Sequence, residues 1–224
     1  MNEKERARKI LDVLRENFTL PKWVSSNRTP FETLVITVIS QNTSDRNTAR
    51  AFENLSKKFM VTPENLLKVS VEEIEDALRV AGLYRNKARI LKKLAEIVVE
   101  KFGGSLESIF GLPLEEARKI LLALPGVGPK TADVLLLFCA KKPTFPIDTH
   151  INRVSKRLGF VDGKAGYEEI RQKLQKLFDA KDYFSAHILL ILLGRRFCKA
   201  RQPLCHECPI NALCPIGEER LKNA

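Results

Sequence analysis

Apolar residues recur at helical spacing along almost the whole chain. Ala7, Ile10, Leu14 and Phe18 share one face of an amphipathic helix over residues 4–18. Pro21 to Pro30 reads as a connector. Thr29-Pro30-Phe31-Glu32 is a capping box with proline at the first helical position, and it opens an apolar helix through Ile39. The polar run Ser40-Gln41-Asn42-Thr43-Ser44-Asp45 stops that helix, and the next one turns Ala49, Phe52, Leu55 and Phe59 inward. Thr62-Pro63 starts a short helix. Ser70-Val71-Glu72-Glu73 is a second capping box, with Ile74, Leu78 and Ala81 as its core face. Gly82 ends that helix, and residues 83–87 make a turn. A long helix then carries Leu91, Leu94, Ile97, Val98 and Phe102 as far as Gly103-Gly104. A short helical segment near Leu106 to Phe110 follows. Beyond an irregular crossing at Lys141 to Pro146, Asp148 can cap a helix from Thr149 to Leu158, and two more helices fit 166–179 and 182–195. No stretch alternates as a strand, and no repeat or low-complexity tract is present. The pattern predicts an all-α fold of about ten helices.

The middle of this pattern carries the most information. Leu114, Ala117, Ile120, Leu121 and Leu124 form a helical stripe that Pro125 and Gly126 stop. Gly128 can cap a second helix with Pro129 in its first position, and Val134 to Phe138 carries that helix into a core. The result is a tight helix–hairpin–helix with two glycines at the bend. Glycines let the backbone approach another molecule closely, and the N–H groups at a helix start favour a phosphate. Lys130 stands at the second helical position, the wrong end of the helix dipole for a cation. That end pushes an amine toward its neutral, nucleophilic form. A lysine that simply touches a phosphate is the plainer alternative, and the hairpin alone leaves both open. A Walker-type phosphate loop fits badly, because Pro129 separates Gly128 from Lys130 and a helix precedes the turn.

Charge narrows the partners. The 224 residues hold 38 Lys+Arg against 27 Asp+Glu, a net +11. That excess suits a polyanion, nucleic acid before an anionic membrane. The start, Met-Asn-Glu-Lys-Glu-Arg, is charged and leads into no apolar region, and the longest apolar run, Ile188 to Leu193, is far too short to span a bilayer. An intracellular protein without membrane contact is expected, in the cytoplasm or nucleoid of a prokaryote.

Four of five cysteines lie close together. Cys198, Cys205, Cys208 and Cys214 have the spacing C-x6-C-x2-C-x5-C. Four thiolates suit an iron–sulfur cluster or tetrahedral zinc. Structural zinc usually takes two short Cys-x2–4-Cys arms held apart, whereas this single compact loop suits a larger cubane, so spacing favours iron–sulfur over zinc, with a disulfide pair third. Prolines at 203, 209 and 215 stiffen the loop. Cys139 reads as a core hydrophobe and His206 as solvated. Arg195, Arg196, Lys199 and Arg201 beside the loop suit either a nucleic-acid backbone or the negative charge of a cluster. Asp148 is a plain helix cap, or a carboxylate that helps deprotonate an attacking amine or stabilises positive charge on a sugar.

The Leu-Pro-Gly-Val-Gly-Pro-Lys hairpin, Ile147-Asp148-Thr149-His150 and the four-cysteine loop occur in that order. Together with Ser40-Gln41 and Gly82-Leu83-Tyr84-Arg85-Asn86-Lys87-Ala88, they closely resemble the endonuclease III family of helix–hairpin–helix DNA glycosylases. The resemblance covers nearly the whole chain. It implies two helical lobes flanking a DNA-binding cleft: a six-helix barrel over 25–140 with the hairpin at 111–140, and an iron–sulfur lobe of 1–24 plus 141–224. Cys198, Cys205, Cys208 and Cys214 would ligate a [4Fe-4S] cluster. Lys130 would be the nucleophile that attacks C1′, and Asp148 its carboxylate. Gln41 and Leu83 match positions that fill the gap left by a flipped base, while Gly126, Gly128 and Lys130 match a phosphate site.

A lysine at this position implies a bifunctional glycosylase and abasic-site lyase, since mismatch relatives that lack it hydrolyse the base without a covalent step. Little chain follows Cys214, too short for the extra domain of adenine-mismatch relatives. One departure is Asp133, where members often carry Asn, an acid one turn from Lys130. The expectation is a monomer acting on duplex DNA that contains oxidised pyrimidines or abasic sites. Two alternatives stand beside it: a uracil or thymine mismatch glycosylase of the same fold, and a non-catalytic DNA-binding module whose cluster senses redox state.

Overall fold

The protein is described here by a computed structural model covering residues 1–21 and 28–217. The connector expected over Pro21 to Pro30 lies largely outside the described residues, as do the lobe boundary at 24/25 and the end of the chain. Among the described residues are twelve α-helices, three short 3-10 helices and no β-strand. The all-α expectation is met.

Chain contacts divide the protein into two units, Met1–Ser26 with Pro143–Ala224, and Asn27–Lys142. The second holds α2 (Pro30–Ser40), α3 (Asp45–Lys58), α4 (Pro63–Lys68), α5 (Val71–Leu78), α6 (Tyr84–Phe102), α7 (Glu107–Phe110), α8 (Leu114–Leu122) and α9 (Pro129–Phe138). The first holds α1 (Glu3–Asn17), α10 (Thr149–Arg157), α11 (Tyr167–Leu177) and α12 (Tyr183–Arg196), followed by the cysteine loop.

Helix starts follow the local chemistry of the chain. Thr29 and Ser70 close full capping boxes with Glu32 and Glu73, and each cap oxygen satisfies a backbone N–H that would otherwise be orphaned. Asn2 does the same with Glu5 at the start of α1. Inside the Asn27–Lys142 unit, Leu34 and Val38 of α2, Leu55 of α3 and Leu91 and Leu94 of α6 meet in one fully buried core. One stripe differs from expectation. In α3 the buried side is Thr48, Ala51 and Leu55, with Phe52 half-buried and Ala49 exposed. Ala49 is small enough to fit either face, so its apolarity carried no directional information.

The other unit has its own core. Ala7, Ile10, Leu11 and Leu14 of α1 pack toward α11 and α12. Phe145 is fully buried there and meets the rings of Phe178 and Tyr183 at 5.9 and 5.6 Å. Arg6 of α1 lies 4.8 Å over Phe160 and donates to the Leu213 carbonyl at 3.1 Å, which ties the first helix to the cysteine loop. No helix among the described residues is long and apolar enough to cross a membrane.

Candidate functional site

The hairpin comes first. α8 ends at Leu122, two residues before the stripe's last apolar position, and the buried side chains of Leu124 and Val127 anchor the loop that follows. The two glycines at the bend have different reasons to be there. Gly126 has φ +72°, and a Cβ on it would lie 2.6 Å from Ile90 Cγ2, so the fold itself demands glycine. Gly128 has ordinary extended backbone, and a Cβ there would meet nothing within 4 Å. Its bare backbone leaves room for another molecule. No side chain caps α9, Pro129 takes the first helical position, and Lys130 the second, half-buried. A helix start without a side-chain cap attracts an anion.

Asp133, one turn past Lys130, is wholly buried. Its carboxylate takes two hydrogen bonds from Arg118 of α8, Nε to Oδ1 at 3.0 Å and Nη2 to Oδ2 at 3.2 Å. The acid singled out in the sequence therefore has its charge matched by a guanidinium, and the pair staples the two hairpin helices together.

Two further loops of this unit meet the hairpin. Gln41, just past α2, donates from Nε2 to the Gly126 carbonyl at 2.9 Å. Leu83 sits before α6 with φ 59°, a left-handed conformation that costs a branched side chain about 1–2 kcal/mol. It is also 63% exposed. An apolar side chain held in strained backbone and in water works against stability twice over, which points to function. A Cβ on Gly82 would come within 3.2 Å of the Asn42 carbonyl, so the 41–43 and 82–83 turns lie in contact.

Asp148 belongs to the other unit. Its Oδ1 accepts from the Ile151 N–H at 2.7 Å and caps α10. The segment before it is held on both sides: Ile147 N–H donates to the Tyr167 hydroxyl at 3.3 Å, and the Pro146 carbonyl lies 3.0 Å from His187 Nδ1. Asp148 is half-buried.

The four cysteines line one cavity, with Leu158, Leu193, Phe197 and Ile210 among its apolar walls and about 420 Å3 of empty space counting its mouth. Among the described residues, no three His, Cys, Asp or Glu side chains converge tightly enough to hold a single ion. The thiols surround a volume instead. Four thiols on one cavity are the donor set that a cluster in which each sulfur meets a different iron requires. Burial pushes the Cys208 thiol up to about 11 and raises that of Cys214. In such apolar surroundings a bound soft metal is what makes the thiolate form favourable. Backbone N–H groups of Ile210, Ile216 and Gly217 point at these sulfurs and favour their charged form.

A cation also reaches one of the four cysteines. Arg157 Nη1 lies 3.4 Å from Cys198 Sγ and donates to the Lys199 carbonyl at 2.7 Å, while Nη2 reaches Ala200 O at 3.0 Å. Arg157 comes from α10, far from the loop in sequence, whereas the expectation rested on basic residues next to the loop. Lys87 is a second residue to which the motifs assign no role. It is buried, and its signal was present, since 87, 91, 94 and 98 make one helical stripe whose first member is a lysine. His206 is exposed, as read from the sequence.

The chain resembles known proteins over nearly its whole length. Residues 35–180 match the family model described as HhH-GPD superfamily base excision DNA repair protein. Residues 198–214 match the iron–sulfur binding domain of endonuclease III. The chain is 36% identical to endonuclease III of Sulfolobus acidocaldarius over 94% of its own length and 96% of the relative's. It is 36% identical to that of Escherichia coli over 98% and 99%. A solved structure of a trapped endonuclease III–DNA covalent intermediate superimposes with a TM-score of 0.85 at 35% identity, covering 99% of this chain and all of that one. A thermostable thymine-DNA glycosylase shares the fold, with a TM-score of 0.78 at 22% identity.

Proposed function

The chain belongs to the endonuclease III family, and from that premise we propose which of its residues carry each part of the work. It is a DNA glycosylase and abasic-site lyase of base-excision repair, it binds DNA, and it holds a [4Fe-4S] cluster. The cluster supplies a fixed anionic scaffold for the 198–214 loop, with Cys198, Cys205, Cys208 and Cys214 as its ligands.

The observation that carries the assignment is Lys130 at the uncapped, anion-favouring start of α9, directly behind the open backbone of Gly128. The target nucleotide leaves the duplex, because its sugar carbon is out of reach inside the stack. Backbone at Gly126, Gly128 and Lys130 holds a phosphate beside it. Gln41 and Leu83 occupy the gap, which accounts for the strain and exposure of Leu83. Lys130 Nζ attacks C1′, and the bond from C1′ to the base nitrogen breaks, the base leaving with its electron pair and taking up a proton. The role we give Asp148, from its match to the family's carboxylate, is either to take up the proton that the attacking amine loses or to stabilise positive charge on the ring. The amine–sugar adduct opens to a Schiff base. Loss of a C2′ proton then expels the 3′ phosphate, and hydrolysis of the imine restores the lysine. The working unit we propose is a monomer. The relatives named are bacterial and archaeal, which supports a prokaryotic source and work at the nucleoid.

The substrates we propose are oxidised or ring-saturated pyrimidines. Borohydride should trap a protein–DNA adduct on a duplex with one abasic site, and the enzyme should excise thymine glycol faster than uracil or thymine opposite guanine. Preference for the mismatches would move the protein to the other branch. DNA bound but never cut or trapped would support a binding module.

Two further results are expected. Affinity for an undamaged duplex should fall by about a thousandfold or more between ~50 and ~200 mM salt if six or more phosphates are contacted. A flat response in a binding titration would sink the basic-surface account. Replacing Cys208 by Ser should remove most bound iron and acid-labile sulfide, read by metal analysis. Retained iron at full occupancy would show that the loop is not the cluster's seat.

A further inference from the structure

Lys87 is a charged residue that the reaction described above does not use. It lies in the first turn of α6, only 3% exposed. Two penalties act on it there. A buried ammonium costs several kcal/mol unless well paired, and the start of a helix is the wrong end for a cation. Burial accordingly holds its pKa below the ordinary lysine value. A methionine of the same length would fill the space without either penalty. Something other than stability explains the charge.

Its contact supplies the explanation. Lys87 Nζ donates to the Thr43 hydroxyl at 2.6 Å. That hydroxyl in turn donates to the Gln41 carbonyl at 3.2 Å, and Gln41 Nε2 donates to the Gly126 carbonyl at 2.9 Å. At the other end, the Lys87 N–H bonds the carbonyl of left-handed Leu83 at 3.1 Å. One residue therefore touches both turns that carry the gap-filling side chains and, through Gln41, the hairpin. Asn42 lies between Gln41 and Thr43 with φ 52°, another non-glycine left-handed residue that needs outside support.

We propose that Lys87 is a positioning residue: its buried ammonium locks the Gln41 turn to the Leu83 turn, so that both side chains are set in advance to take the place of an extruded nucleotide. The inference rests on the roles given to Gln41 and Leu83 above. Its consequence is selective. Extruding a paired, stacked base costs a few kcal/mol, and an abasic nucleotide costs far less. A loosened wedge should slow the first task and spare the second.

The test compares the wild type with Lys87→Met and Thr43→Val on two duplexes, one with a base-paired thymine glycol and one with a preformed abasic site. Each variant should lose about tenfold or more in single-turnover excision of the base, while abasic-site cleavage stays within about twofold. Lys87→Met should melt at the wild-type temperature or above it, because a buried charge has been replaced by an apolar group. The double variant should be no worse than either single, since both remove one contact. Equal losses on the two duplexes, or a lower melting temperature that accounts for the loss, would assign Lys87 a purely structural role. Unchanged excision in both variants would overturn the inference outright. If Lys87→Met does not fold, Thr43→Val decides by the difference between its losses on the two duplexes, because any stability lost when the Lys87 ammonium is deprived of that hydroxyl acts on both alike. A wild type that forms no borohydride adduct would remove the premise itself, a result distinct from any of these.

Discussion

Lys130→Ala should form no borohydride-trapped adduct on an abasic duplex, and its strand cleavage should fall at least about a thousandfold. The argument is that no other group can substitute for the nucleophile. Removing a residue that acts as part of a covalent unit removes the step rather than slowing it. Folding should be unaffected, because Lys130 is half-buried at the first turn of α9 and a cation is unfavourable there. Binding should fall only modestly, since Gly126 and Gly128 still present backbone to the phosphate. Gel analysis of trapping and cleavage reads both effects. An adduct that survives in the variant would mean that another amine attacks, and the central assignment would be wrong.

Asp133→Ala should destabilise the protein by about 3–5 kcal/mol in denaturant unfolding, the usual cost of removing one member of a buried ion pair. Asp133 is wholly buried, and Arg118 addresses both of its oxygens. After truncation the Arg118 guanidinium remains in an apolar hairpin with part of its hydrogen bonding lost. Asp133→Asn should cost clearly less, because the amide keeps one acceptor for the guanidinium. Activity should decline in both along with hairpin order, since the pair joins the two helices that present Lys130. If Asp133→Ala unfolds at the wild-type denaturant concentration, the pair contributes no net stability and the acid needs another explanation.

Much of this protein is legible in its sequence. The capping boxes at Thr29 and Ser70, the prolines at 30, 63 and 129 and the glycine pair at 103–104 are local devices, and each marks a helix boundary through the chemistry of a few neighbouring residues. The hairpin, the cysteine spacing and Asp148 at a cap were likewise readable, because motif and function coincide in short stretches. What failed were statements about direction. The inward face of α3 was misjudged at Ala49, since a small residue does not reveal its side. Lys87 sat in an apolar stripe without being recognised as buried, and Arg157 was not connected with a cysteine 41 residues away.

The sequence by itself therefore determined the all-α class, most helix starts and the hairpin, and it supplied the four-cysteine ligand set and the lysine nucleophile that we propose. All of these depend on interactions within a few residues, and local chemistry is enough to specify them. Only the tertiary structure decided which charges are paired and which turns touch. It joined Arg118 to Asp133, Arg157 to Cys198, Lys87 to Thr43 and Gln41 to Gly126. Those partners are set by how helices pack. A long polar side chain can reach several neighbours, and packing alone selects the one it meets.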